Sequence, residues 1–196
     1  DLTVIPSTYI MWTAPSVFVA VLLSQTLRIA SASGEGEEWH WLKGNRTGCA
    51  AEAWNGNCSG SYGERGVSHS SNLPGARCGA HTWQSNGLFF MLGGWGYDSN
   101  GTLGYLNDLW TYRPSTNDWT WIAGSQLCNQ NNTQDWPASR YYGAYGFNEE
   151  TNTLYLFSGL GGSTTDGYYL TDLWELTVHT QNNNDTVSTN LNSNDD

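Results

Sequence analysis

The amino-acid sequence predicts an all-β fold of repeated antiparallel strands, on three observations. Its 196 residues include 23 glycines without a collagen period and only 5 prolines, a balance that suits many tight turns between short strands. There are 11 tryptophans and 11 tyrosines, each able to remove a large apolar area from water, so the chain is unlike a disordered one. Four short segments also recur in the same order, as they do in structures built by stacking one unit.

Read from the N-terminus, residues 1–33 differ from everything after them. Met11 opens Met-Trp-Thr-Ala-Pro-Ser, the apolar run Val17 to Leu23 follows, and Ala30-Ser31-Ala32 supplies a small-x-small cleavage pattern. This resembles a secretory signal peptide whose apolar run is too short to span a bilayer. It lacks a positive leading region, since Arg28 lies after the run, and a buried strand or short helix is the alternative. Residues 1–10 precede Met11 and read as an extension.

Export agrees with the cysteines and sequons. Cys49, Cys58, Cys78 and Cys128 contain no C-x-x-C and are expected to form disulfides; of the three pairings, Cys49–Cys58 is favoured because it closes a local loop. Asn45, Asn57, Asn100, Asn131 and Asn184 are N-x-[ST] glycosylation candidates. The expected location is secreted or cell-surface. The formal charge of −11, from 7 Lys+Arg against 18 Asp+Glu, repels phosphate backbones and offers no polybasic patch for lipid, so neither nucleic acid nor a stable membrane span is expected.

The repeat follows. Glu38 to Gly44 (EWHWLKG) reappears as Asp118 to Gly124 (DWTWIAG), and Pro74 to Ala80 reappears from Pro137 to Ala144 with Arg77 matched by Arg140. The apolar run Leu88 to Gly94 is echoed by Leu154 to Gly159, and Tyr105 to Trp110 (YLNDLW) returns as Tyr169 to Trp174 (YLTDLW). The apolar runs are short and end in small residues, which predicts strands covered on both faces. Trp39 and Trp41, like Trp119 and Trp121, share a face at a period of two. Arg113 to Asp118 has the turn chemistry to link the Leu109-Trp110 strand to the Trp119 strand.

Taken together these segments resemble the kelch-repeat family of β-propellers, including its exported galactose-oxidase-like and attractin-like members. The first blade matches at Arg77, Gly93, Gly94, Asp108, Leu109, Trp110, Tyr112 and Trp119. The second matches at Arg140, Gly159, Asp172, Leu173 and Trp174, with Ser158 in place of the first glycine and Leu176 in place of the tyrosine. The resemblance implies a propeller fragment over residues 34–179: about two four-stranded blades, plus Trp39 to Lys43 as the outer strand of a preceding blade. A ring needs roughly four to eight blades. The expectation is therefore a truncated product, a piece of a longer protein, or copies that assemble, with further kelch blades in cis or trans. Residues 180–196 are almost devoid of apolar side chains and are expected to be a disordered, Asn-rich tail.

Functional candidates are few. Arg77 and Arg140 are expected to hydrogen-bond backbone carbonyls between blades, with a carboxylate or sugar ligand as the alternative. Asp108 and Asp172 read as turn caps, because isolated aspartates lack the oxygen cluster calcium needs. Trp95, Tyr97 and Tyr105, in or beside the Gly93–Tyr105 loop, and Tyr168 and Tyr169 are the candidates for stacking on a ligand. His40, His69, His81 and His179 show no ligand spacing, and no nucleophile or phosphate-loop motif occurs. No catalytic residue, metal or cofactor is assigned. The expected function is non-catalytic recognition of a protein or glycan. The alternatives are a piece of a copper radical oxidase, or a fragment with no independent function.

Overall fold

In the computed structural model the described residues are 38–45, 58–163, 166–180 and 187–190. The signal-peptide-like segment, Cys49, Asn57 and Asn184 lie outside them. The chain divides into two units, Asp1–His40 and Trp41–Asp196, and all the strands belong to the second.

Among the described residues Gly- and Asn-bearing turns separate twelve short strands, several of them built on apolar runs. These are β1 (Arg77–Cys78), β2 (His81–Ser85), β3 (Leu88–Tyr97), β4 (Leu103–Arg113) and β5 (Asp118–Ala123). After them come β6 (Arg140–Tyr141), β7 (Ala144–Asn148), β8 (Thr153–Phe157), β9 (Leu160–Gly161), β10 (Tyr168–Tyr169), β11 (Leu173–Thr180) and β12 (Val187–Asn190). All pairings between strands are antiparallel, and no helix occurs among the described residues.

The first sheet has the order β1-β3-β4-β5, with β2 also paired to β3. Asn86 and Gly87 both have positive φ, 51° and 75°, and make the tight β2–β3 turn. The turn predicted between Arg113 and Asp118 links β4 to β5, with Asn117 at φ 58°. Within β3, Gly93 and Gly94 have φ of 65° and 107°, and the pairing with β4 slips between Leu92 and Gly94. Ser158 and Gly159 repeat those angles at 63° and 111°. There the strand is interrupted, so the second repeat forms two ladders, β10-β9-β6 and β12-β11-β8-β7.

The core lies between the first sheet and the β7–β8–β11 sheet. Trp83, Leu88, Phe90, Leu92, Leu109, Ile122 and Ala123 from one side meet Leu154, Leu156, Leu176 and Val178 from the other. Alternation explains this: residues 88, 90 and 92 share one face of β3, and 154 and 156 share one face of β8. Only one face of β8 is covered, contrary to expectation, since Tyr155 and Phe157 are exposed.

Three more expectations are corrected. Trp39 to Lys43 is not a strand; Trp39 is fully exposed, and Lys43 and Leu42 are instead tied to Asn117 in the β4–β5 turn by hydrogen bonds of 3.0 and 3.1 Å. Two indoles at a period of two do not make a strand without a neighbouring ladder to pair with. Residues 187–190, placed in the disordered tail, pair with Thr177–Thr180 of β11, where exposed backbone donors and acceptors accept a polar strand. Finally, Gly93 to Tyr105 is mostly strand, leaving only residues 98–102 as a loop.

Candidate functional site

Each repeat is organised around one buried carboxylate. Arg77 Nη1 and Nη2 donate to Asp108 Oδ1 and Oδ2 at 2.5 and 2.8 Å, and the Trp110 indole donates to Oδ2 at 2.7 Å. The Arg77 Nε and Nη1 also donate to the carbonyls of Gly75 and Gly93, both at 3.0 Å. Arg140 repeats the pattern with both oxygens of Asp172 at 2.7 Å, the carbonyl of Ala138 at 3.1 Å and that of Ser158 at 3.0 Å; Trp174 donates to Asp172 at 2.5 Å. These bonds correct two expectations. The arginines act inside their own repeat, and the aspartates are ion-pair partners, because a buried guanidinium requires a counter-charge as well as carbonyl acceptors.

A fourth donor to Asp108 comes from a residue the sequence did not single out. The Tyr62 hydroxyl donates to Oδ2 at 2.6 Å, and its ring lies 4.7 Å from Trp110 and 5.5 Å from Trp121. Residues 58–76 fold back along the sheet, with bridges Ser61↔Leu73 and His69↔Trp119. Burial first, and the Asp108 charge second, push the Tyr62 phenol well up, so it stays a donor. Burial works against the Arg77 charge, but Asp108 more than offsets it and the guanidinium pKa is raised.

The ligand-stacking candidates separate into groups. Trp95 and Tyr105 are neighbours across β3 and β4, 4.6 Å apart, and Tyr141 stands 5.7 Å from Tyr105 and 4.6 Å from Tyr142. Tyr105 is buried and packs inside this ladder, whereas Tyr142 is exposed. Tyr97 is half-buried at the end of β3. Tyr168 and Tyr169 lie on β10, and Tyr169 is 83% exposed. Tyr142 has a left-handed φ of 55°, the shape Gly79 adopts at the same place in the first repeat (62°).

A second feature is a groove of about 460 Å³ lined by Arg65, Asn107, Ser125, Asn131, Asp135 and Trp136, among others. Two of its walls are anchored: Arg65 Nε donates to the Ile122 carbonyl at 2.8 Å, and Trp136 Nε1 to the Asn107 carbonyl at 2.7 Å. Arg65, Asn131 and Asp135 present exposed polar groups. The segment that builds it, between β5 and β6, has no counterpart in the four recurring segments, so the repeat gave no signal for it.

The remaining candidates are dispersed. Cys78 and Cys128, both disulfide candidates, are free thiols; β3 and β4 stand between them, a span beyond disulfide reach. Cys58 is disulfide-bonded. Burial and then Asp98 push the Cys128 thiol up to about 11. His81 is buried between the Leu92 carbonyl (3.3 Å) and the Gly143 N–H (3.0 Å), and burial lowers its pKa. Among the described residues no three His, Cys, Asp or Glu side chains come together as a metal would need. Among them, too, no helix is long and apolar enough to cross a membrane. Asn45, Asn100 and Asn131 are exposed.

Fold and site together define an all-β protein of packed antiparallel sheets with a repeated, buried Arg–Asp–Trp cluster. No family model matches the chain, and no curated protein matches it. Among solved structures, YjhT is similar at 21% identity and a TM-score of 0.36, over 47% of this chain and 23% of that one.

Proposed function

We propose that this chain is a non-catalytic, extracellular recognition module of kelch-type propeller architecture, with a glycan as its favoured ligand and a protein as the second. The observation that carries the reading is the groove beside Arg65 and Trp136. Its volume of about 460 Å³ lies in the range of small-ligand sites. An anchored indole offers an apolar face to the C–H face of a pyranose. The carboxylate of Asp135 and the guanidinium of Arg65 are suited to adjacent hydroxyls. The repeated Arg–Asp–Trp geometry supports the kelch reading. Exposure of Asn45, Asn100 and Asn131, with the signal-like segment, supports export.

The test is a glycan array and a cell-surface protein panel probed with the full chain from a secretory host. Asp135→Asn and Arg65→Ala are each expected to weaken binding about tenfold, the loss of one hydrogen bond to a charged group. Retention of no glycan and no surface protein would sink the recognition reading. Undiminished binding by both variants would remove the groove from it.

A further inference from the structure

The second repeat carries two tyrosines where the first has small residues: Arg77-Cys78-Gly79 matches Arg140-Tyr141-Tyr142. A bulky side chain is penalised in the left-handed region, yet Tyr142 stands there at φ 55° with 72% of its surface exposed. Burial does not offset that penalty, because most of the ring is in water. Such a backbone persists only where its surroundings hold it, and here the Tyr142 N–H donates to the Gly79 carbonyl at 3.1 Å. Gly79 also makes room for both rings: a Cβ on it would stand 2.9 Å from Tyr141 and 3.0 Å from Tyr142.

Tyr142 belongs to a continuous cluster of four rings. Tyr141 lies 4.6 Å from it, 5.7 Å from Tyr105 and 6.4 Å from Trp95, and Trp95 lies 4.6 Å from Tyr105. These neighbours are inclined to one another by between 41° and 66°. Tyr105 is buried and forms the floor, with Trp95 and Tyr141 half-buried beside it. A pyranose stacks on one flat face, which rings inclined in this way do not offer. They suit a compact, rounded group that touches several faces at once. The charge beside them is negative. A Cβ on Gly167 would collide with the Tyr105 hydroxyl, so the backbone next to the exposed Asp166 lies against this ring. Burial, then Tyr141 and then the Asp166 carboxylate raise the Tyr105 phenol pKa. Arg77 and Arg140, the nearest cations along the chain, are both turned to their aspartates.

We propose that Trp95, Tyr105, Tyr141 and Tyr142, with Asp166 beside them, bind a quaternary ammonium group, as carried by choline free in solution. The ring quadrupoles turn negative faces to the cation, and Asp166 adds a full negative charge. A primary ammonium is strongly hydrated and loses more on entry than a methylated one, whose methyl groups pack against the rings. A phosphocholine headgroup is disfavoured, because its phosphate would meet Asp166 and a chain whose formal charge is −11. The inference is independent of the glycan reading, since none of these residues lines the groove.

The probe is choline titrated into the full chain, read by saturation transfer from aromatic protons to its N-methyl protons. Choline is expected to bind about tenfold more tightly than its neutral isostere, in which a tert-butyl group replaces the trimethylammonium. It is also expected to bind more tightly than phosphocholine. Tyr142→Gly installs the residue of the first repeat and relieves the left-handed backbone. Its thermal midpoint is therefore expected to stay close to that of the parent chain, while choline affinity falls about fivefold. Asp166→Asn, at an exposed position, is expected to weaken choline and leave the isostere unaffected, which separates loss of the site from failure to fold. No transfer to choline, an isostere or phosphocholine that binds as tightly, or full choline affinity in either variant overturns the proposal.

Discussion

Asp108 accepts four hydrogen bonds between 2.5 and 2.8 Å, from Arg77, Trp110 and Tyr62, and its side chain is fully buried. Removing it strands a guanidinium whose side chain is only 4% exposed. Asp108→Ala is therefore expected to cost about 3–5 kcal/mol in denaturant unfolding. Among the described residues Asp172 has no tyrosine donor, and its side chain is 27% exposed, so water can take the place of the lost carboxylate beside Arg140, itself 1% exposed, and Asp172→Ala is expected to cost less. Equal losses at the two sites would contradict this account. His81 adds a pH dependence. Its Nε2 accepts the Gly143 N–H, which leaves the ring proton on Nδ1 facing Leu92 O. Protonating Nε2 would set two donors against each other, and burial and the nearby Arg140 charge also oppose it. The folded pKa lies below the unfolded value of about 6.5. This contribution is thus complete above that pH and is lost as pH falls toward the folded pKa. Stability measured at about pH 5.5 should be lower than at about pH 7.5, and His81→Gln should flatten the difference.

At the scale of elements, the glycine bend in β3 and the break between β8 and β9 share one conformation but have different neighbours. Gly93 combines a left-handed φ of 65° with a Cβ position 2.8 Å from Arg140 O and 2.9 Å from Leu106 O. Gly93→Ala is expected to destabilise by about 2 kcal/mol or more, from the left-handed penalty and the crowded carbonyls together. Ser158 already holds that φ with a side chain, and its hydroxyl donates to Leu170 O at 2.7 Å; Ser158→Ala should lose only that bond, about 1 kcal/mol. Thermal midpoints of the two variants decide the order. The 58–76 segment behaves as part of the first sheet: Tyr62→Phe removes a hydrogen bond to a buried charge and should cost about 1.5–3 kcal/mol. A negligible loss would mean that the segment merely lies against the sheet. The strands with apolar runs and an Asp-Leu-Trp start were legible because alternation and turn residues encode them locally. β12 was not, since Val187 to Asn190 has little apolar content and forms on the edge that β11 offers.

Among the described residues the two repeats are unequal: Phe90, Leu92 and Leu109 are buried, whereas Tyr155, Phe157 and Leu173 at the matching positions are exposed. Residues that resemble each other in sequence therefore differ in role. Trp39-His40-Trp41 matches Trp119-Thr120-Trp121, yet only the latter has a ladder beside it. Tyr105 and Tyr169 match, yet one is core and the other surface. Tyr169 was legible as a stacking candidate from its place in the repeat, and it stands on β10 with 83% of its surface exposed.

The sequence by itself determined the β class and the equivalence of the repeats, because periodicity, turn residues and recurring segments are properties of neighbours along the chain. Tertiary structure alone decided that Arg77 meets Asp108 across 31 residues and Arg140 meets Asp172 across 32, that Tyr62 completes the first cluster, and that Arg65 and Trp136 frame a groove. Those pairings arise from burial, which brings distant polar groups together because each must find a partner once water is excluded.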